Sequence, residues 1–239
     1  MSDHGMDNTL HKVMPEPSLR MIISGPSGSG KGILLSELLL KHYRHKFAKI
    51  YYFSASALLD DNLKPIQKYC EKHLGQGEND PCMYDTWDEG VIEGILERQM
   101  AVCAHVKKRG SKQKFHIAII CDDFADDRKV VRSGLLEKIF CKGRHANVSC
   151  FVLTQYYRLL SPVLRCQQNC LAVFRLRNIK DKTAILEENS AVVNSKVLEK
   201  MYDMATSKPF GFLLILLTET DPNKMFFSSL DSRLIPNVK

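Results

Sequence analysis

The chain has no apolar run able to cross a bilayer. Its longest clear one, residues 210–217, falls far short of the ~20 residues a membrane helix needs. The opening stretch, MSDHGMDNTLHKVMPEP, holds no apolar segment, so it does not read as a secretory leader. None of the 8 cysteines forms a C-x-x-C pair. Cys166 and Cys170 lack a second Cys/His pair nearby, so reduced, partly buried thiols of an intracellular protein are the reading, with a zinc site as the alternative. Repeats and low-complexity tracts are missing. So are helix-turn-helix and zinc-finger modules, which argues against a reader of base sequence. Acidic residues are in deficit, 27 against 34 Lys and Arg, and the net charge of +7 favours an anionic partner, nucleic acid above all.

What remains is ordinary for a soluble globular chain: 44% hydrophobic and 26% charged residues among 239. That length suits one large domain whose core can do without disulfides or a structural metal. Residues 1–17 are polar, with Pro15 and Pro17 near their end, and read as a flexible arm ahead of a domain spanning 18–239. From Leu19 onward, short apolar segments alternate with amphipathic ones. Strands are expected near 19–24, 49–53, 115–121, 148–154, 170–176 and 210–217. Helices are expected near 31–45, 66–73, 88–108, 130–142 and 181–204. Strands apolar on both faces, separated by helices, give an α/β fold: a mostly parallel sheet with helices on both faces. Asp221-Pro222-Asn223 signals a turn after the last long strand, and residues 225–228 beyond it would complete a terminal β-hairpin. Loops 75–81 and 109–114 are the expected mobile segments.

Gly25-Pro26-Ser27-Gly28-Ser29-Gly30-Lys31 lies between an apolar strand and a helix that starts near Gly32. The glycines let successive backbone N–H groups turn inward around phosphate oxygens, at the positive end of that helix. Lys31 then reaches the β- and γ-phosphates as a point charge. The residue after such a lysine is usually Ser or Thr, whose hydroxyl binds magnesium. Here it is Gly32, so water or a hydroxyl such as that of Ser29 has to serve, or metal binding is weakened. Residues 115–123 form an apolar strand ending in Asp122 and Asp123. In a triphosphate site the first acid would order the magnesium shell and the second would position or activate the attacking water. Two solvated aspartates at a strand end are the simpler alternative, and His116 on the same strand reads as packing. Residues 143–155 give a basic turn with Arg144, an apolar strand, then Thr154 and Gln155, which at a carboxyl strand end would stand beside Asp122.

Together these segments resemble the genome-packaging ATPases of large DNA viruses, the poxvirus-type branch of the FtsK–HerA superfamily. The same enzymes occur in giant viruses, virophages and Maverick/Polinton transposons. The resemblance runs from about Leu19 to Arg177 and rests on GPSGSGK, the strand ending in Asp-Asp, and GRHANVS followed by a strand and Thr-Gln. Residues 49–57, a strand then Ser-Ala-Ser, also resemble the family's second strand. It implies a P-loop NTPase fold of RecA/FtsK–HerA type, with ATP and Mg2+ as cofactors. It further implies hydrolysis that drives double-stranded DNA into a preformed capsid, by subunits in a homo-oligomeric ring that meets capsid vertex or portal proteins. Such a protein would work in solution at a virus assembly site in the host cell, or on the virion, with no integral membrane contact.

Residue by residue, the resemblance gives Gly25, Pro26, Ser27, Gly28, Ser29, Gly30, Lys31 and Gly32 to the nucleotide. Asp122 falls to the metal, and Asp123 stands where relatives keep the catalytic acid. Gln155 matches the polar sensor. Arg144 matches a finger that would reach a neighbour's nucleotide, and Arg165 is the second candidate. Contacts to DNA without base specificity would come from Lys107, Lys108, Arg109, Lys112 and Lys114, from Arg128, Lys129 and Arg132, or from Arg175, Arg177 and Lys180. Of Tyr156 and Tyr157, at least one reads as core. Two rival functions stay open. A nucleotide or small-molecule kinase is suggested by Gly30-Lys31-Gly32 but opposed by Ile33, where such kinases carry Thr, and by the missing arginine-rich lid. A non-hydrolysing ATP-binding subunit is suggested by Gly32 itself.

Overall fold

The structure, a computed structural model, describes residues 14–124, 127–131 and 134–236. Among the described residues one sheet holds β1 (Arg20–Ser24), β2 (Phe47–Ser54), β3 (Met83–Tyr84), β4 (His116–Asp122) and β5 (Val148–Thr154). It continues with β6 (Cys170–Phe174), β7 (Phe212–Leu216), β8 (Phe226–Ser228) and β9 (Ser232–Leu234). The strand order is β3-β2-β4-β5-β1-β6-β7-β8-β9. From β3 through β6 every pairing is parallel, and from β6 to β9 every pairing is antiparallel.

Parallel strands of this kind are buried on both faces, and β5 and β6 are buried at every residue. Alternation along each strand divides the core in two. Met21, Ile23, Ala118 and Ile120 point to one face, while Ile22, Ile117, Ile119 and Cys121 point to the other. The first face is covered by α1 (Lys31–Glu37), extended by a π-helical turn at Leu38–His42, and by α2 (Lys64–Leu74). The second carries α3 (Glu89–Lys108), α4 (Arg128–Val131), α5 (Gly134–Lys142), α6 (Pro162–Gln167), α7 (Ile179–Glu188) and α8 (Ser195–Ala205). A short α9 (Pro222–Met225) links β7 to β8.

The six expected strands are present, shifted by a few residues at their ends. Several expectations need correction. The helix expected over 181–204 is two helices: Asn189 closes α7 by donating its amide to Ile185 O, and Asn194 caps α8 by accepting from Lys196 N. Of the helix expected over 130–142, the parts in α4 and α5 are helical, and residues 132–133 between them lie outside the described ones. The terminal hairpin carries a third strand, and its turn is a helix capped by Asp221 with Pro222 in its first turn. Loop 75–81 is pinned, because the buried Gln76 amide exchanges two 2.9 Å hydrogen bonds with the backbone of Ile50.

Residues 1–13 of the expected arm lie outside the described residues. Its end is held to the domain, with Met14 in the core and Tyr43 Oη donating to Pro15 O at 2.8 Å. Cys170 is buried in β6 and Cys166 is exposed. Among the described residues no three His, Cys, Asp or Glu side chains converge, so the zinc alternative has no ligand set there. No helix among them is long and apolar enough to cross a membrane.

Candidate nucleotide site

The parallel strands bring their carboxyl ends to one edge of the sheet. Across it Ser54 pairs with Asp122, Asp122 with Leu153, and Thr154 with Ser24. The glycine loop leaves β1 at this edge and is tied to it at once, Gly25 N donating to Thr154 O at 3.1 Å. Gly25 has no room for a side chain: a Cβ would lie 2.6 Å from Ser29 Oγ and 2.7 Å from Phe174 Cβ. Gly28 and Gly30 turn the chain at φ +73 and +104, where other residues are strained. The first bond within α1 runs from Leu34 N to Gly30 O. The N–H groups of Lys31, Gly32 and Ile33 ahead of it are those a helix leaves for an anion.

Lys31 is buried, and its Nζ donates to the carbonyls of Gly25 at 2.9 Å and Pro26 at 3.2 Å. Burial lowers its pKa, and the charges of Asp123 and Asp122 partly oppose that change. The lysine and both aspartates are thus close enough to influence one another's charge.

Asp122 ends β4 in a desolvated position. Burial pushes its carboxyl up to about 6; a hydrogen bond from Tyr52 opposes the rise and the neighbouring Asp123 adds to it. Tyr52 Oη donates to Asp122 Oδ2 at 2.5 Å. Burial and Asp122 hold the Tyr52 phenol well above its ordinary range, so it remains a donor. Tyr52 was not visible in the sequence, where it stands in an apolar strand and reads as core; only the pairing of β2 with β4 reveals its partner.

Asp123 leaves the strand at φ +54, a conformation aspartate tolerates better than most residues. Its exposed carboxylate accepts from Gln155 Nε2 at 2.8 Å, which brings together two residues expected at the site. Thr154 does something else. Its hydroxyl closes the turn with the N–H and carbonyl of Tyr156. Tyr157 is fully buried and Tyr156 is exposed.

A magnesium ion fits this donor set in the manner usual for phosphate sites, with one or two carboxylates and phosphate oxygens. Asp122 is a half-buried carboxylate whose charge a cation would offset. The Ser29 hydroxyl is buried and finds no hydrogen-bond partner among the described residues. Gly32 offers none, although a Cβ there would meet nothing within 4 Å.

The two arginine candidates part company. Arg144 is exposed in a 3-10 turn, Gly143–Ala146, at the amino end of β5. At ~3.3 Å per residue, the length of β5 sets it roughly 20 Å from its own loop. That places it away from the nucleotide loop of its own subunit. Arg165 is bound internally, paired with Glu188 and placed over the Tyr157 ring at 5.6 Å. Of the basic clusters, Lys107, Lys108, Arg109, Lys112 and Lys114 are exposed at the end of α3 and in the loop after it. Arg132 and the side chain of Arg128 lie outside the described residues. Arg175 and Arg177 line, with Lys208 and Phe210, a cavity of about 520 Å³ against the outer flank of the glycine loop.

A glycine loop after the first strand, facing a carboxylate pair across one intervening strand of a parallel sheet, defines a P-loop NTPase fold. A model of the Poxvirus A32 protein family matches residues 81–220, more than half of the chain, and the chain belongs to that family. Uncharacterized protein 015R of Frog virus 3 is 28% identical over 166 residues, 69% of this chain and 47% of its own length. The chain thus spans about half the length of that relative.

The genome packaging NTPase B204 from Sulfolobus turreted icosahedral virus 2, solved with AMP, superposes with a TM-score of 0.56 at 16% identity. That match covers 94% of this chain and 98% of B204. B204 described as the DNA-packaging ATPase from Sulfolobus turreted icosahedral virus gives 0.54 at 19% identity, covering 89% and 97%. The pCW3 conjugation coupling protein TcpA gives 0.53 at 12% identity, covering 87% of this chain and 58% of TcpA. At these identities the likeness is one of fold. The family match does not reach the glycine loop.

Proposed function

We propose that the chain is an ATP-hydrolysing motor that drives double-stranded viral DNA into a preformed capsid. One observation carries the chemistry: Lys31, Asp122 and the Asp123–Gln155 pair meet at a single sheet edge. Membership of the Poxvirus A32 protein family, and a fold shared with viral genome-packaging NTPases, support the biological role.

In this reading the backbone of residues 25–32 and Lys31 bind the triphosphate. Gln155 holds Asp123, and Asp123 accepts the proton of the attacking water. Tyr52 fixes the rotamer of Asp122. Asp122 would hold Mg2+, which when bound with ATP supplies charge neutralisation at the phosphates. Arg144 acts in trans, so the working form is a homo-oligomeric ring at the virus assembly site, with a capsid vertex or portal protein as a further partner. The exposed lysines after α3 are candidates for backbone contacts to DNA.

The test is ATPase activity with and without double-stranded DNA across a range of protein concentration. Turnover that rises with both supports the motor. Gly32 favours a second reading, an ATP-binding subunit without hydrolysis. That reading wins if the assembled protein binds Mg·ATP and never turns it over with DNA present. Turnover stimulated by a nucleoside monophosphate in place of DNA would point to a kinase.

A further inference from the structure

We infer that Phe210 is the stacking platform for the base of the bound nucleotide, and that its pocket holds adenine and guanine nucleotides alike. The inference rests on the triphosphate reading of the glycine loop.

Lys208-Pro209-Phe210-Gly211 is a tight turn closed by Gly211 N donating to Lys208 O at 3.1 Å. Pro at its second position and φ +61 at Phe210 give it a type II pattern, in which the third residue is normally Gly or Asn. A bulky aromatic in that conformation is an outlier, and such outliers gather at functional sites. Core packing does not explain it, since Phe210 is 64% exposed. The turn cannot simply swing away: a Cβ on Gly211 would collide with the carbonyl of Ala205 at the end of α8.

The turn ends one residue before β7, whose Phe212 pairs with Phe174 at the carboxyl end of β6. This sets the Phe210 ring beside the cradle, close enough that a Cβ on Gly30 would meet its Cδ1 at 3.2 Å. The ring borders the cavity of about 520 Å³ that Pro26 and Gly28 also line. That volume is within the range of small-ligand sites. A triphosphate gripped by Lys31 leaves its sugar and base outside the loop, and this cavity flanks the loop.

An aromatic face stacks on every base. Discrimination needs polar readers, and the only side-chain acceptors in the lining are the hydroxyl oxygens of Ser27, Ser29, Thr206 and Ser207. Arg175, Arg177 and Lys208 only donate. The hydroxyls of Thr206 and Ser207 already donate to Tyr202 O and Met204 O, each at 2.8 Å. No Asp, Glu, Asn or Gln is among the described residues that line the cavity, so no carboxylate or carboxamide waits for the amino group of adenine. A pocket without such groups rejects the wrong base weakly.

The experiment measures equilibrium binding of ATP, GTP and inorganic tripolyphosphate, each with Mg2+, to the full chain and to Phe210→Gly and Phe210→Trp. Glycine relieves the positive φ, and a melting curve checks that the fold persists. The expected result is a loss of roughly five- to a hundredfold for both nucleotides in Phe210→Gly, unchanged tripolyphosphate binding, and retention in Phe210→Trp. In the wild type, ATP and GTP should agree within about tenfold. Undiminished ATP affinity in Phe210→Gly overturns the platform, whether or not assembly changes. An equal loss of tripolyphosphate does so too, because it makes Phe210 a prop for the loop. A hundredfold preference for ATP in the wild type overturns the tolerance. If the wild type binds neither nucleotide nor tripolyphosphate, the triphosphate reading itself fails; if it binds both with no gain from the base, only this inference fails.

Discussion

Asp122→Asn is expected to stabilise the nucleotide-free protein while abolishing hydrolysis. Burial moves the Asp122 carboxyl from 3.8 to about 6. A tenfold change in proton affinity is worth ~1.36 kcal/mol, so the ionised carboxylate costs the native state about 3 kcal/mol above the upper value. The sign follows from proton counts. Between pH 3.8 and about 6 the native state keeps a proton that the unfolded chain has released. Stability from this group therefore falls as pH rises through that window and stays lost above it. Asparagine is neutral at every pH, and its amide oxygen can still accept from Tyr52. In EDTA at about pH 7.5, at roughly 2–4 °C per kcal/mol for a chain this size, the variant should melt up to about 6–12 °C above wild type.

The gap should narrow as the buffer is acidified through about pH 5, because wild type then recovers its proton. Magnesium with a non-hydrolysable ATP analogue should raise the melting point of wild type more than that of the variant. Differential scanning calorimetry over a pH series reads both effects. A variant that melts at or below wild type near neutrality, or a gap indifferent to acid, would refute the claim that desolvation of Asp122 opposes its charge.

Gly32→Ser has open space for its side chain. It should lower the magnesium concentration needed for half-maximal ATPase, and an unmoved magnesium titration would show that the missing hydroxyl limits nothing. Gly25→Ala should cost about 1–3 kcal/mol by overpacking and weaken nucleotide binding, because its methyl would press on Ser29 Oγ and Phe174 Cβ. A normal melt with normal ATP affinity would refute that. Arg144→Ala should leave melting and nucleotide binding intact while lowering turnover of the assembled protein by ~10³-fold or more. Arg165→Ala should lower the melting temperature of the monomer, since its partners are Glu188 and the Tyr157 ring of the same chain. Reversed outcomes for the two arginines would exchange their roles.

What could be read in the sequence was what is contiguous in it. The glycine loop carries its chemistry in neighbouring residues, and the strand ending in Asp122 and Asp123 announces itself as an apolar run with an acidic end. β3 has two residues, too few for any periodicity, and is held by its partner β2. The break between α7 and α8 did have a local signal, since Asn189 and Asn194 are both end-forming residues, but the apolar spacing across it obscured the stop. The rule that ligands gather at carboxyl strand ends put Gln155 beside Asp122, and in the fold its amide bonds to the next residue, Asp123. Tyr52 beside Asp122 followed from nothing local, because the bond exists only through the register of β2 on β4.

The arginines make the same point with consequences for function. Arg144 and Arg165 carry the same charge and flank the same strand, so the sequence left both as fingers. α7 brings Glu188 to Arg165 and neutralises it within the subunit. The direction of β5 carries Arg144 away from the loop that β1 feeds, leaving it exposed at the far end of the sheet. A parallel sheet has its phosphate edge at one end only, so a cation at the other end can complete such a site only across a subunit boundary. The trans role proposed for Arg144 thus rests on strand direction, and it predicts that isolated monomers turn over slowly however well they bind ATP.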